Sequence, residues 1–152
     1  MNRSGAGMAW DHFYPVAPRP KMINAIEDRD LWRFKLPLTK PFSAALFSLP
    51  YDFDAWDEAA GEFSQMVGEG IGIMRKHDKD VRELLDLTTQ RAMIGGYSVP
   101  CANMPYQFAS DAGNILSERE FFAATWYEDK DGTRVYSLRS DARNEMALDV
   151  SA

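Results

Sequence analysis

The sequence predicts an α/β fold: helices fill the N-terminal part, one long helix follows, and a small mixed β-sheet with a packed helix closes the chain. Three observations predict it. Trp56, Ala60, Phe63, Val67, Ile71, Met74, Val81 and Leu85 recur at helical spacing over about eight turns. FFAATWYE and TRVYSLRSD are two β-rich runs flanking DKDG, a hairpin signal centred on Asp131-Gly132. Before Asp52, short apolar periods are cut by prolines, which suits short helices and turns.

The elements follow in order. Ser4 caps a helix from Gly5 to Phe13, stopped by Pro15. VAPRP is an extended connection, and Pro20 suits the first turn of a helix carrying Met22, Ile23 and Ile26 on one face. That helix ends in Glu27-Asp28-Arg29-Asp30, ahead of Trp32-Arg33-Phe34. LPLTKP reads as a loop and FSAALF as a short buried helix or turn, with Asp52 the N-cap of the next helix. The period from Trp56 is one long helix or a bent pair, and Gly68, Gly70 and Gly72 predict a bend. AMIGGYSVPCANMP suits a strand, its Gly95-Gly96 marking a bulge or a close backbone approach. Gln107 to Ser117 forms a helix turning Ala109, Ala112, Ile115 and Leu116 to the sheet. On the last strand, Val135, Ser137 and Arg139 share one face. Tyr136 and Leu138 share the other and make the better core pair. RNEMALDVSA starts a further helix.

Composition narrows the function classes. The 152 residues are 45% hydrophobic and 26% charged, enough for a packed core in one domain or two small lobes. No apolar run approaches the ~18 residues of a membrane span, and the N-terminus lacks the apolar stretch of a secretory signal. The lone Cys101 excludes an internal disulfide framework and a cysteine-rich zinc module; with eight methionines it fits a reducing, cytoplasmic setting. A net charge of −6 argues against broad binding of duplex DNA, which needs basic surface to displace counterions. A nucleotide in a local pocket remains compatible with it.

The residues that carry chemistry are few. Glu27, Asp28 and Asp30 form the one close acidic cluster beside aromatics, of the oxygen type that hard divalent cations prefer. Spacing alone more often makes such a run a solvated face. His12 and His77 have no second histidine at ligand spacing. Arg139, between Ser137 and Ser140, has the fork geometry for a phosphate, against the plainer pairing with Asp141. Trp126 and Tyr127 are candidates for stacking a base.

Taken together, SGAGMAWDHF, AIEDRDLWRF, the long helix, GGYSVPCANMP, FASDAGNILSERE and FFAATWYEDKDGTRVYSLRSD resemble the DHH phosphoesterase family, nearest its bacterial phosphohydrolases and oligoribonucleases. EDRDLW and YSLRSD are the more specific segments. The resemblance implies a two-lobed hydrolase. Its catalytic lobe holds two ions, Mn²⁺ or Mg²⁺, that activate water against a phosphodiester. Its substrate lobe grips a nucleotide phosphate through an arginine strand and a Gly-Gly-Gly-His segment. On that basis residues 1–54 are the C-terminal remnant of the catalytic lobe, 55–91 the helical linker and 92–152 a shortened substrate lobe. Asp28 matches a metal-ligand aspartate and Arg139 the substrate-lobe arginine, with Ser137 and Ser140 beside it. The chain has neither Asp-His-His nor Gly-Gly-Gly-His. The expectation is therefore a partial phosphohydrolase, inactive alone and not holding its metals stably. Its ligand is a short oligonucleotide or nucleotide phosphate, and its partner a second copy or a complementary DHH chain. The alternative is a non-enzymatic binding or assembly module. An incomplete lobe leaves Met8, Trp10, Ile23 and Ile26 in need of cover.

Overall fold

The computed structural model describes residues 2–141 and 143–150. The fold is α/β, and the chain divides into two compact units, Met1–His77 and Asp78–Ala152.

The first unit is helical. Helix α1 (Gly5–Phe13) opens on Ser4, whose Oγ accepts the Gly7 N–H at 3.1 Å. Glu27 accepts from both the N–H and the hydroxyl of Ser4, and Arg19 bridges Glu27 to Asp11. The start of α1 is thus tied to α2 (Lys21–Asp30). A side chain at Gly7 would meet the Glu27 carboxylate and push it from its bonds to Ser4 and Arg19. Helix α3 (Thr39–Leu46) is almost wholly buried; it takes in FSAALF up to Leu46 and also Thr39–Pro41, the end of the segment expected as a loop. Its Phe42 stacks on Phe63 at 4.4 Å, and with Ala25, Ala45, Leu46, Ala59 and Met66 it makes the core of this unit. Ile26 packs against that core; Ile23 and Trp10 are half-buried, and Met8 is exposed.

Asp52 caps α4 (Phe53–Gly61) by accepting the Asp54 N–H. The helical period from Trp56 does belong to two helices, but they part at Glu62, before α5 (Phe63–Thr88). Gly68, Gly70 and Gly72, where a bend was expected, all lie inside α5, and the helix is not interrupted there. Gly70 instead admits a close approach: a Cβ there would overlap the Pro41 carbonyl, while Gly68 and Gly72 face open space.

The second unit is a four-stranded sheet of order β1-β2-β3-β4, with β1 Thr89–Ile94, β2 Tyr97–Asn103, β3 Ala123–Glu128 and β4 Arg134–Arg139. The segment expected as one strand is a hairpin. Gly95 and Gly96 are its two-residue turn, at φ +58° and +88°, which corrects the reading of a bulge. Both positions of a type I′ turn need φ > 0, so glycine fits each. The expected β3–β4 hairpin is present. Between the hairpins, β2 and β3 pair in parallel at Cys101 to Asn103 only, so Pro100 in the inner strand forfeits no bond on that side. Helix α6 (Ala109–Ser117), entered through a 3₁₀ turn at Tyr106–Phe108, connects them. It packs on β3 and β4. Val81 and Leu85 of α5 join Ala102, Met104 and Ala112 in the core of this unit. Ile115, expected against the sheet, is exposed, and residues 143–150 form turns without a helix. The rest of the expected C-terminal helix, 151–152, lies outside the described residues. No helix among the described residues is long and apolar enough to cross a membrane.

Candidate functional site

Asp28 sits in the last turn of α2 and is only 5% exposed. One carboxylate oxygen accepts the Lys35 N–H at 3.0 Å; the other accepts the Leu36 N–H at 3.0 Å and the Thr39 hydroxyl at 2.6 Å. Its backbone carbonyl accepts the N–H of Arg33 and of Phe34. The side chain therefore folds the 31–38 loop back onto α2 and fastens it to the start of α3. Burial pushes the carboxyl pKa up. The Thr39 hydroxyl, the two backbone N–H groups and the Arg33 charge outweigh that, and the pKa ends below the ordinary range. Thr39 and the two amides fill the positions a metal ligand would offer outward. Among the described residues no group of three His, Cys, Asp or Glu side chains is arranged to hold an ion. Glu27 is committed to Ser4 and Arg19, and the exposed Asp30 to no ion pair among the described residues. Among the described residues these side chains do not make up a two-metal centre.

Arg139, at the end of β4, lies on the face that α6 covers. This reverses the expected arrangement. The alternation of Val135, Ser137 and Arg139 against Tyr136 and Leu138 holds, but Tyr136 and Leu138 point to the open face, 51% and 36% exposed. The reason is Gly113. It leaves a channel across α6 for the arginine stem, since a Cβ there would stand 2.7 Å from Arg139 Cγ. The guanidinium emerges at the first turn of α6 and donates to Ser110 Oγ at 2.9 Å. Ser137 is on the same face and Ser140 follows the strand; neither is bonded to Arg139 among the described residues. Asp141, the plainer partner, is taken by Arg143, whose side chain and backbone N–H hold its pKa down. Arg139 is thus exposed, braced by a hydroxyl and a helix start, and without a carboxylate among the described residues. Ser110 and Gly113 are what sequence reasoning missed. The SDAG spacing was visible, but that it faces Arg139 follows only from the fold.

The other candidates disperse. Trp126 lies on the open face, tilted against Tyr136 with Arg134 over its ring, while Tyr127 lies on the other face near Tyr106. His12 is exposed with its ring edge-on to Phe13. Cys101 is buried at the centre of the sheet, and burial pushes its thiol pKa up, the opposite of a nucleophile. A shallow recess of 440 Å³ lined by Pro20, Lys21, Gly61, Glu62 and Phe63 contains none of the expected site residues.

No protein-family model matches the chain, and no solved structure matches it. It is 31% identical, over 158 aligned residues, to an uncharacterized protein, R106, of Acanthamoeba polyphaga mimivirus. The alignment takes in 92% of this chain, which spans only 35% of the length of that relative.

Proposed function

We propose that the chain is part of a DHH-type phosphohydrolase, contributing a phosphate-gripping lobe to a larger catalytic assembly and binding nucleotide phosphate without turning it over alone. One observation carries the reading: an exposed arginine on a rigid strand, threaded over Gly113 and held by Ser110, with no acidic partner among the described residues. A guanidinium so placed takes two phosphate oxygens in parallel, with Ser110 as a further donor. The first turn of α6 adds favourable backbone dipoles. The order of the resembling segments along the chain supports the family, and the committed Asp28 supports the lack of turnover. Charged hydrogen bonds of roughly 1.5–3 kcal/mol, less the cost of association, give about millimolar affinity.

Titration of the labelled chain with a mononucleotide, followed by NMR, tests this. Amide shifts should gather at 109–113 and 137–140 and vanish in Arg139→Ala. Shifts elsewhere, or unchanged by that substitution, refute the site. A second reading, the assembly module, is favoured by Phe13, Val16, Tyr51 and Phe53, all strongly exposed in the first unit. Sedimentation showing concentration-dependent association that is lost in Phe53→Ser would support it.

A further inference from the structure

The charge of this acidic chain is unevenly spread. Residues 1–50 carry seven Lys and Arg against four Asp and Glu, whereas residues 51–152 carry ten against nineteen. Within the basic part, Arg33, Lys35 and Lys40 make no ion pair among the described residues, and all three are exposed. Arg33 donates to the Asn2 carbonyl at 2.7 Å, and it and Lys35 flank Phe34 in the chain, where there is an aromatic pair. Phe34 meets Trp32 edge to face at 4.9 Å, and the Lys40 ammonium lies 5.0 Å from the Phe34 ring. An edge-to-face contact occupies at most one side of the indole, and Trp32 stays 51% exposed.

The backbone holds this arrangement against its own preference. Trp32 N–H bonds to the Arg29 carbonyl and Arg33 N–H to that of Asp28, the paired bonds of a Schellman motif closing α2. The left-handed residue of that motif is normally glycine. Here it is Trp32, at φ +53°, and Phe34 is also left-handed at +46°. Two bulky aromatics at positive φ are sterically unfavourable, and burial does not explain Trp32, because its ring projects into solvent. Asp28 fixes the loop from beneath through Lys35 and Leu36.

We propose that the loop 31–38 with Lys40 is a binding lip for single-stranded nucleic acid, on which an unpaired base stacks on Trp32 while Lys35, Lys40 and Arg33 meet flanking phosphates. An open indole face serves any base. Three cations are too few for a duplex on a chain of net charge −6, yet enough for a short strand. A carboxylate-rich peptide would satisfy the cations and leave the strained, exposed ring without a role. The site is separate from Arg139, which belongs to the other unit, and it holds whether or not Arg139 takes a phosphate.

The test is fluorescence anisotropy of a short labelled oligothymidylate with the full chain. Trp32→Gly should weaken binding about fivefold to a hundredfold. Glycine suits the left-handed position, so loss of binding would not reflect loss of fold. Lys35→Gln and Lys40→Gln, surface changes, should each weaken binding and flatten its salt dependence. With three phosphates met, a rise from about 50 to about 200 mM salt should cost about twentyfold. Binding unchanged in Trp32→Gly, or no binding by the unaltered chain, overturns the proposal. So does equal affinity for a polyglutamate peptide or for anionic vesicles, which would assign the lip to another partner. Arg139→Ala run alongside separates the two sites: it should abolish the mononucleotide shifts while Trp32-dependent anisotropy persists.

Discussion

Replacing Asp28 by alanine removes three hydrogen bonds from one carboxylate. The Lys35 and Leu36 N–H groups belong to exposed residues and regain water in part, so each loss falls at the low end of the ~1.5–3 kcal/mol of a charged hydrogen bond. Thr39 is fully buried, and its hydroxyl is left without an acceptor, which costs about 1–3 kcal/mol. Together these losses come to about 4–6 kcal/mol, at the high end for a single substitution, and the turn that joins α2 to α3 goes with them. Urea unfolding followed by tryptophan fluorescence measures it, since Trp10, Trp32 and Trp56 report the first unit and Trp126 alone the second. Thr39→Val, which removes one bond from the same group, should cost about 1–2 kcal/mol. The double variant should cost less than the two singles added, because they share that bond. A loss below about 0.5 kcal/mol in Asp28→Ala would refute the structural role. So would millimolar Mn²⁺ raising the stability of the unaltered chain and not of the variant, which would mark Asp28 as a ligand.

Gly68→Ala and Gly70→Ala, two residues apart in α5, should have opposite signs. The first gains about 1 kcal/mol of helix propensity in open space, and the second loses about 3 kcal/mol or more by overlap with Pro41, both read from urea midpoints. Acid should loosen the first unit. Asp28 and Glu27 have folded pKa values below the ordinary range, Glu27 chiefly through the Ser4 N–H and then Arg19 against an opposing burial effect. Their stabilisation is therefore full above pH ~4–5 and lost as pH falls through the folded values. Fluorescence-monitored stability should drop below pH ~4, and less steeply in Asp28→Asn. Cys101 should react with a thiol reagent at neutral pH only as fast as the sheet opens, and at the free-thiol rate in denaturant.

Local chemistry made much of the fold legible. Ser4, Pro15 and Asp52 mark helix ends through capping and ring geometry, and Asp131-Gly132 marks a turn; these depend on near neighbours alone. What misled was context. A glycine triplet reads only as a bend, and that one of its members, Gly70, makes room for Pro41 is known only from the fold. Tyr136 and Leu138 read as core by hydropathy, yet Gly113 gives the covered face to an arginine stem. For the site, residue type pointed to Arg139 and to the acidic cluster at 27–30, and the family resemblance picked Asp28 from that cluster, but the partners Thr39 and Ser110 stand 11 and 29 positions away. No spacing rule reaches that far.

The three-residue parallel seam has a consequence for how the second unit assembles. Each hairpin closes through a short turn, so both are local events on the scale of microseconds. The seam joining Cys101–Asn103 to Ala124–Trp126 is different, because its strands are separated by the whole of α6 and it must await that helix. The sheet is therefore two independently nucleated ribbons zipped by a late, narrow clasp. Met104 N–H and the Asn103 amide, both donating to the Trp126 carbonyl, form its latch. When the unit breathes, the clasp should part while each ribbon stays paired, making the middle of the sheet, rather than its edges, the first place where solvent reaches the interior.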